Sequence, residues 1–223
     1  QGYGNTSADW VDQVGSNNGT VNGSPELFTG QGFDGTVSKW YDQSTTSGVP
    51  NANHAVQTSA ASQPKIVSGG VYLGYLTKNT AESGFNSGIS LSLTGGFSLF
   101  YRTNFSSTSS VLGGNGTTPR LRHLANQVEV VNDAGTEVNF SQTSIGTANA
   151  VYSLIRDSSY DINFHKNGAL ITGSPLNLSG SFSFNQLAIR TSDKDGIEGR
   201  FYEIIIYNTD QSDNRTALEA NIG

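Results

Sequence analysis

The stretch "KWYDQS", Lys39 to Ser44, places Trp40 and Tyr41 directly before Asp42, Gln43 and Ser44. An aromatic ring beside amide and carboxylate groups is a kit for holding a sugar: the ring stacks on an apolar face and the polar groups bond hydroxyls. Trp40, Tyr41, Asp42 and Gln43 are therefore the candidate glycan-binding residues. The same four also make a structural corner. Trp40 and Tyr41 then alternate across a strand, while Asp42 and Gln43 satisfy backbone groups of the polar loop that follows.

Other residue types with chemical potential are less organised. A glycosidase needs two carboxylates on facing elements, about 5–10 Å apart. Asp42, Asp161, Glu198 and Glu203 are available, but no spacing in the sequence brings any two together. Asp193, Asp195 and Glu198 in "SDKDGIEG" form the densest acidic cluster. Asp193 and Asp195 are weak calcium candidates, because Lys194 interrupts them and the spacing of a calcium loop is missing. A solvated turn explains them better. His54, His123 and His165 lie far apart without ligand spacing, and there is no G-x-S-x-G elbow or phosphate-binding loop. Calcium aside, no cofactor is read from the sequence, and no catalytic residue is assigned.

Eight N-x-S/T sequons occur, at Asn5, Asn18, Asn22, Asn104, Asn115, Asn139, Asn177 and Asn214. Asn18, Asn22 and Asn115 sit in Gly-rich loops and are the sterically open glycosylation candidates. A chain rich in Asn, Ser and Thr also generates sequons by chance.

Composition narrows the function classes. The 223 residues carry a net charge of −6, and the twelve Lys and Arg are scattered rather than clustered. That argues against a nucleic-acid partner or an anionic membrane. The absence of cysteine excludes disulfides, thiolate catalysis and Cys-ligated zinc. No apolar run reaches the roughly 18 residues of a membrane helix, so membrane insertion is not expected. A chain that begins at Gln1 and contains no Met reads as a processed product or a fragment.

The elements that must position these residues are strands. "ISLSL" puts Ile89, Leu91 and Leu93 on one face, and "FSLFYR" puts Phe97, Leu99 and Tyr101 there. "QVEVVN", "EVNFS", "AVYSLIRD", "YDINFHKNG", "SFSFNQLAIR" and "RFYEIIIYN" continue the pattern. Asn167-Gly168 predicts a type I′ hairpin, and "NDAG" from Asn132 to Gly135 predicts another. One helix is expected in "SDNRTALEANI", capped by Ser212, with Leu218 and Ile222 on one face against the end of the sandwich. Many short antiparallel strands imply an all-β sandwich or jelly roll with one short C-terminal helix. Residues 1–223 read as one domain with an irregular N-terminal segment of about residues 1–36.

"VSKWYDQS…QPKIV" (Val37 to Val67) and "FYEIIIYNTDQSDNRTALEANI" (Phe201 to Ile222) resemble the concanavalin A-like, laminin-G-like domains of bacterial surface and phage tail proteins. "YDQS" is also similar, in part, to the arabinofuranosidase B catalytic domain, whose disulfides this chain cannot form. The resemblance implies a jelly-roll sandwich at a cell surface or virion. It also implies a strand-forming segment upstream of Val37, where this chain has the polar "QGYGNTSADWVDQVGSNNG". A sandwich short of an edge strand presents unpaired backbone groups, which another chain can fill by strand addition.

The sequence thus predicts a non-catalytic extracellular structural or adhesion module that self-associates into a homo-oligomer, fibre or filament. A polysaccharide-binding, lectin-like module is the second expectation and a glycoside hydrolase the third. For the lectin reading, Tyr72, Tyr75, Phe85 and Tyr101 are the aromatics that would have to be exposed.

Overall fold

The computed structural model describes residues 9–10, 19–20, 33–46, 49–50, 53–80, 82–114, 116, 118–141, 148–189 and 196–222; at 9–10, 19–20, 45–46 and 49–50 only backbone pairing is described. The glycosylation candidates Asn18, Asn22 and Asn115 and the calcium candidates Asp193 and Asp195 lie outside the described residues. So does most of the irregular N-terminal segment.

In chain order the principal strands are β1 (Gly35–Thr36), β2 (Lys39–Trp40), β3 (Lys65–Ser68), β4 (Val71–Thr77) and β5 (Leu91–Leu93). There follow β6 (Phe97–Phe105), β7 (Ser109–Gly113), β8 (Arg120–Leu124), β9 (Gln127–Val131) and β10 (Glu137–Ser141). The last are β11 (Ala150–Arg156), β12 (Asp161–Lys166), β13 (Phe182–Phe184), β14 (Gln186–Leu187) and β15 (Gly199–Tyr207). The helix α1 spans Arg215–Ile222.

Among the described residues two antiparallel sheets form a sandwich. The larger has nine strands and runs from Ala169–Leu170 through β12, β11, β6, β15, β4 and β3 to β1, with Leu176–Asn177 alongside β12. The smaller has the order β10-β9-β8-β7-β14. Leu99, Tyr101, Leu154, Phe164 and Phe201 from the larger sheet meet Val111, Leu112, Leu121, Val128 and Phe140 from the smaller in one core. The alternation seen in "FSLFYR" has this cause: Phe97, Leu99 and Tyr101 fill the core. The expected I′ hairpin is present, with Asn167 at φ 50° and Gly168 at φ 80°, in the register Lys166↔Ala169. "NDAG" closes β9 onto β10.

The C-terminal helix differs from expectation in two respects. Ser212 is not its cap: a 3₁₀ turn over Ser212–Asn214 precedes the helix, and its backbone entry bonds to Asp210 instead. Nor does it close the end of the sandwich. Leu218 and Ile222 pack over Phe100, Ile155 and Ile205 on the outer face of the larger sheet. That is why Phe100 and Ile155, on the outward side of their strands, are buried.

Polar groups in the interior are matched closely. Arg156 is fully buried and pairs with no carboxylate among the described residues. It donates to the carbonyls of Gly95, Leu178 and Gly180 and lies between the rings of Phe97 and Phe182. On the outer face of the smaller sheet, Arg120 and Arg122 both bond Glu129. Burial alone raises the Glu129 pKa, but the hydrogen bonds from Arg120 and then Arg122 outweigh it and hold the carboxyl at about 2. His123 is buried among Tyr101, Phe105 and Tyr152, 2.8 Å from the Tyr101 hydroxyl. Burial first, and the Lys166 charge second, depress its pKa to about 3.

These depressed values set an acid limit. His123 takes up a proton near pH 6.5 in the unfolded chain but only near pH 3 when folded. Its contribution is present above pH 6.5 and is lost as pH falls. Glu129 behaves likewise below pH 4.5. Lowering the pH from 6.5 to 5 should cost about 2 kcal/mol of stability in urea unfolding. His123→Gln should flatten that window while leaving the loss below pH 4.5 in place.

Candidate functional site

A groove of about 1000 Å³ opens beside β15. It exists because β4 leaves β15 early. The two strands pair only at Arg200↔Thr77 and Phe201↔Leu76. Gly74, in the middle of β4, has φ +71°, a left-handed conformation that side chains other than glycine rarely adopt. Around it the register between β3 and β4 shifts, from Lys65↔Thr77 to Val67↔Tyr72. The bulged strand bends away. From Tyr202 to Tyr207, β15 keeps its bonds to β6 on one side and has no strand partner on the other among the described residues.

The side chains record the same gap. Leu99 and Tyr101 on β6 face the core and are at most 1% exposed. Their direct register partners on β15, Ile206 and Ile204, also face the core yet stay only partly buried. Leu91, Leu93, Leu112 and Leu187 line the groove as well. A strand-shaped apolar trough therefore runs along a free backbone edge. The free stretch is six residues, about 20 Å at strand rise.

The "KWYDQS" corner forms another part of the lining. Trp40 turns inward, its ring 5.7 Å from Phe201 and 5.9 Å from Phe85. Asp42 accepts hydrogen bonds from the Ser44 amide (2.8 Å) and hydroxyl (2.6 Å). Gln43 donates to the Tyr41 carbonyl, and the Asp42 amide donates to His54 Nδ1. Trp40 thus packs into the corner and Asp42 bonds the neighbouring loop backbone, while Gln43 is exposed. Tyr41 is 57% exposed, its ring tilted against His54 at 5.0 Å, with Lys39 Nζ 4.8 Å from the ring. The structure thus separates the exposed Tyr41 from the inward-packed Trp40.

Of the aromatics a lectin would need, Phe85 and Tyr101 are core residues. Tyr72 is 61% exposed and Tyr75 half-buried. Of the four carboxylates, Asp42 and Glu203 line the same groove. Glu198 pairs with Lys78, and Asp161 accepts from Asn177 across the far end of the larger sheet. His54, His123 and His165 stay apart, and the described residues contain no group of three potential metal ligands.

Sequence reasoning did not locate a second feature, on the outer face of the larger sheet. The register between β6 and β15 slips at Arg102/Thr103, leaving Tyr202 as an extra residue on β15. The bulge re-aims its side chain. Tyr202 lies 5.4 Å from Tyr75, Arg102 stacks over Tyr202 at 4.8 Å, and Arg200 over Tyr75 at 4.7 Å. The Tyr202 hydroxyl donates to Asn149 Oδ1 at 2.9 Å. The row Arg200–Tyr75–Tyr202–Arg102 is carried by three strands, and nothing in linear spacing marks it.

No protein-family model matches this chain, and no curated protein matches it. Solved structures give partial likenesses. A sialidase CBM40 of Ruminococcus gnavus bound to α2,3-sialyllactose aligns at 16% identity over 59% of this chain and 84% of that one, with a TM-score of 0.44. A Trypanosoma rangeli sialidase aligns at 12% identity over 67% of this chain but 27% of its own, TM-score 0.45. The binding domain of botulinum neurotoxin serotype C1 aligns at 13% identity over 59% and 38%, TM-score 0.38. With TM-scores this low, the functional reading rests on this chain's own geometry.

The division between scaffold and rim is open to measurement. Trp40→Ala should lower the unfolding free energy by about 3 kcal/mol. Tyr41→Ala should change it by no more than about 0.5 kcal/mol. Chemical denaturation of both variants checks the assignment.

Proposed function

We propose that the chain is a non-catalytic assembly module that receives an extended strand of a second copy alongside β15. The observation that carries this reading is the free edge at Tyr202–Tyr207 over an apolar trough. Unpaired strand edges recruit further strands, because each unmatched amide and carbonyl gains a partner and alternate side chains fill the groove. Among the described residues no proline, lysine or covering helix lies along this edge, whose protections are the Tyr202 bulge and the charge of Glu203 at one end.

The donor in this reading is the N-terminal segment of the neighbouring copy. Thirty-two residues precede Phe33, with an extended reach of about 110 Å. They contain Trp10, Val11, Val14, Val21, Leu27 and Phe28 and no Lys or Arg. Their described pairing joins Asp9–Trp10 to Gly19–Thr20. Successive donations build a fibre or ring rather than a closed pair.

Glycan binding is the second reading, favoured by the exposed Tyr41 on the rim beside Asn53. No binding across a broad polysaccharide panel would remove it.

A photoreactive residue in place of Ile206 tests strand donation. Unlabelled protein carrying it, mixed with ¹⁵N-labelled protein, should form cross-links to residues 1–32 of the heavy copy. Links confined to a single copy, or none, contradict donation between copies. Ile206→Lys should stay folded by circular dichroism and be monomeric by light scattering.

A further inference from the structure

The row Arg200–Tyr75–Tyr202–Arg102 goes beyond the strand-acceptor reading and does not depend on it. Its arginines stand apart from the other described ones. Arg120 and Arg122 pair with Glu129, Arg215 with Glu219, and Arg156 with three backbone carbonyls. Arg102 and Arg200 have no carboxylate or carbonyl partner among the described residues. Glu203 is opposite Arg102 in the register yet makes no ion pair with it. In a chain of net charge −6, the half-buried Arg102 and the exposed Arg200, which hydrogen-bonds Tyr202, are two guanidinium groups that no carboxylate neutralises among the described residues.

Each guanidinium lies over a tyrosine ring, the Arg102 Cζ 4.8 Å from the Tyr202 centroid and the Arg200 Cζ 4.7 Å from the Tyr75 centroid. A guanidinium held against a ring keeps further N–H donors that can fork onto a carboxylate. Asn149 is exposed, and its Oδ1 is occupied by Tyr202 and by Asn104 Nδ2. That orients its amide nitrogen outward as a donor. Exposed Glu203 adds an acceptor beside the row. Planar cations, an amide donor and a carboxylate acceptor on a rigid sheet match a ring that carries one carboxylate and several hydroxyls.

We infer that this row is a binding site for glycans ending in an acidic sugar, a sialic or uronic acid. Glu203 and the overall negative charge disfavour densely charged chains, so a nucleic acid is the poorer fit.

Calorimetry on the full chain tests the assignment, with sialyllactose and a glucuronyl-terminated disaccharide as probes and lactose as the neutral control. The acidic sugars should bind and lactose should not. Arg102→Gln and Arg200→Gln should each weaken binding about tenfold or more, with unchanged unfolding midpoints. Rising salt should weaken it further. Four results overturn the assignment: equal affinity for lactose, no binding of either acidic sugar, full binding by both variants, or tighter binding of a short oligothymidylate or a sulfated sugar. None of these depends on cross-linking at Ile206, so either proposal can fail alone.

Discussion

A β-sandwich must satisfy the backbone of its outermost strands and cover its inner faces at the same time. Among the described residues, the stretch Tyr202–Tyr207 of β15 meets neither demand in full. By contrast, β6 is flanked by β11 and β15, and its core-facing residues are sealed. The gap is local and has a local cause. Gly74 bends β4 off the sheet after two residue pairs, and the Trp40 corner holds another side of the groove. An incomplete sheet costs stability unless something occupies it, and an occupant that binds the folded state repays that cost by mass action.

Polar and aromatic contacts tie the loops of the sandwich to its strands at several points. Arg156 ties the Gly95, Leu178 and Gly180 carbonyls to the end of β11. Asp133 fastens the β9–β10 turn to β13 through Ser181 and Ser183. Trp40 anchors the corner to Phe85 and Phe201. Of these contacts, those of Trp40 lie in the groove lining itself.

Much of this was legible in the sequence and some was not. Period-two alternation located the strands because one face of each is buried, and Asn167-Gly168 declared its hairpin through backbone geometry. The corner role of Asp42 and Gln43 followed from their habit of bonding nearby backbone. The open edge was anticipated only as a shortage of strand-forming sequence before Val37. Its position depends on a register shift between β3 and β4 that no residue pattern announces. The arginine–tyrosine row was invisible for the same reason. Its members come from β4, β6 and β15 and meet only through strand order and the Tyr202 bulge. Helix placement also escaped: Leu218 and Ile222 are spaced for any apolar surface, and the sequence did not say which.

Hydrogen exchange on β15 tests the central claim most directly, measured in dilute and in concentrated protein. Every second amide from Tyr202 to Tyr207 faces the free edge and should exchange fast when dilute. Those same amides should become protected on assembly, while the amides bonded to β6 stay slow in both. Uniform protection of the whole stretch in dilute monomer would mean that the edge is already filled, and would contradict the account.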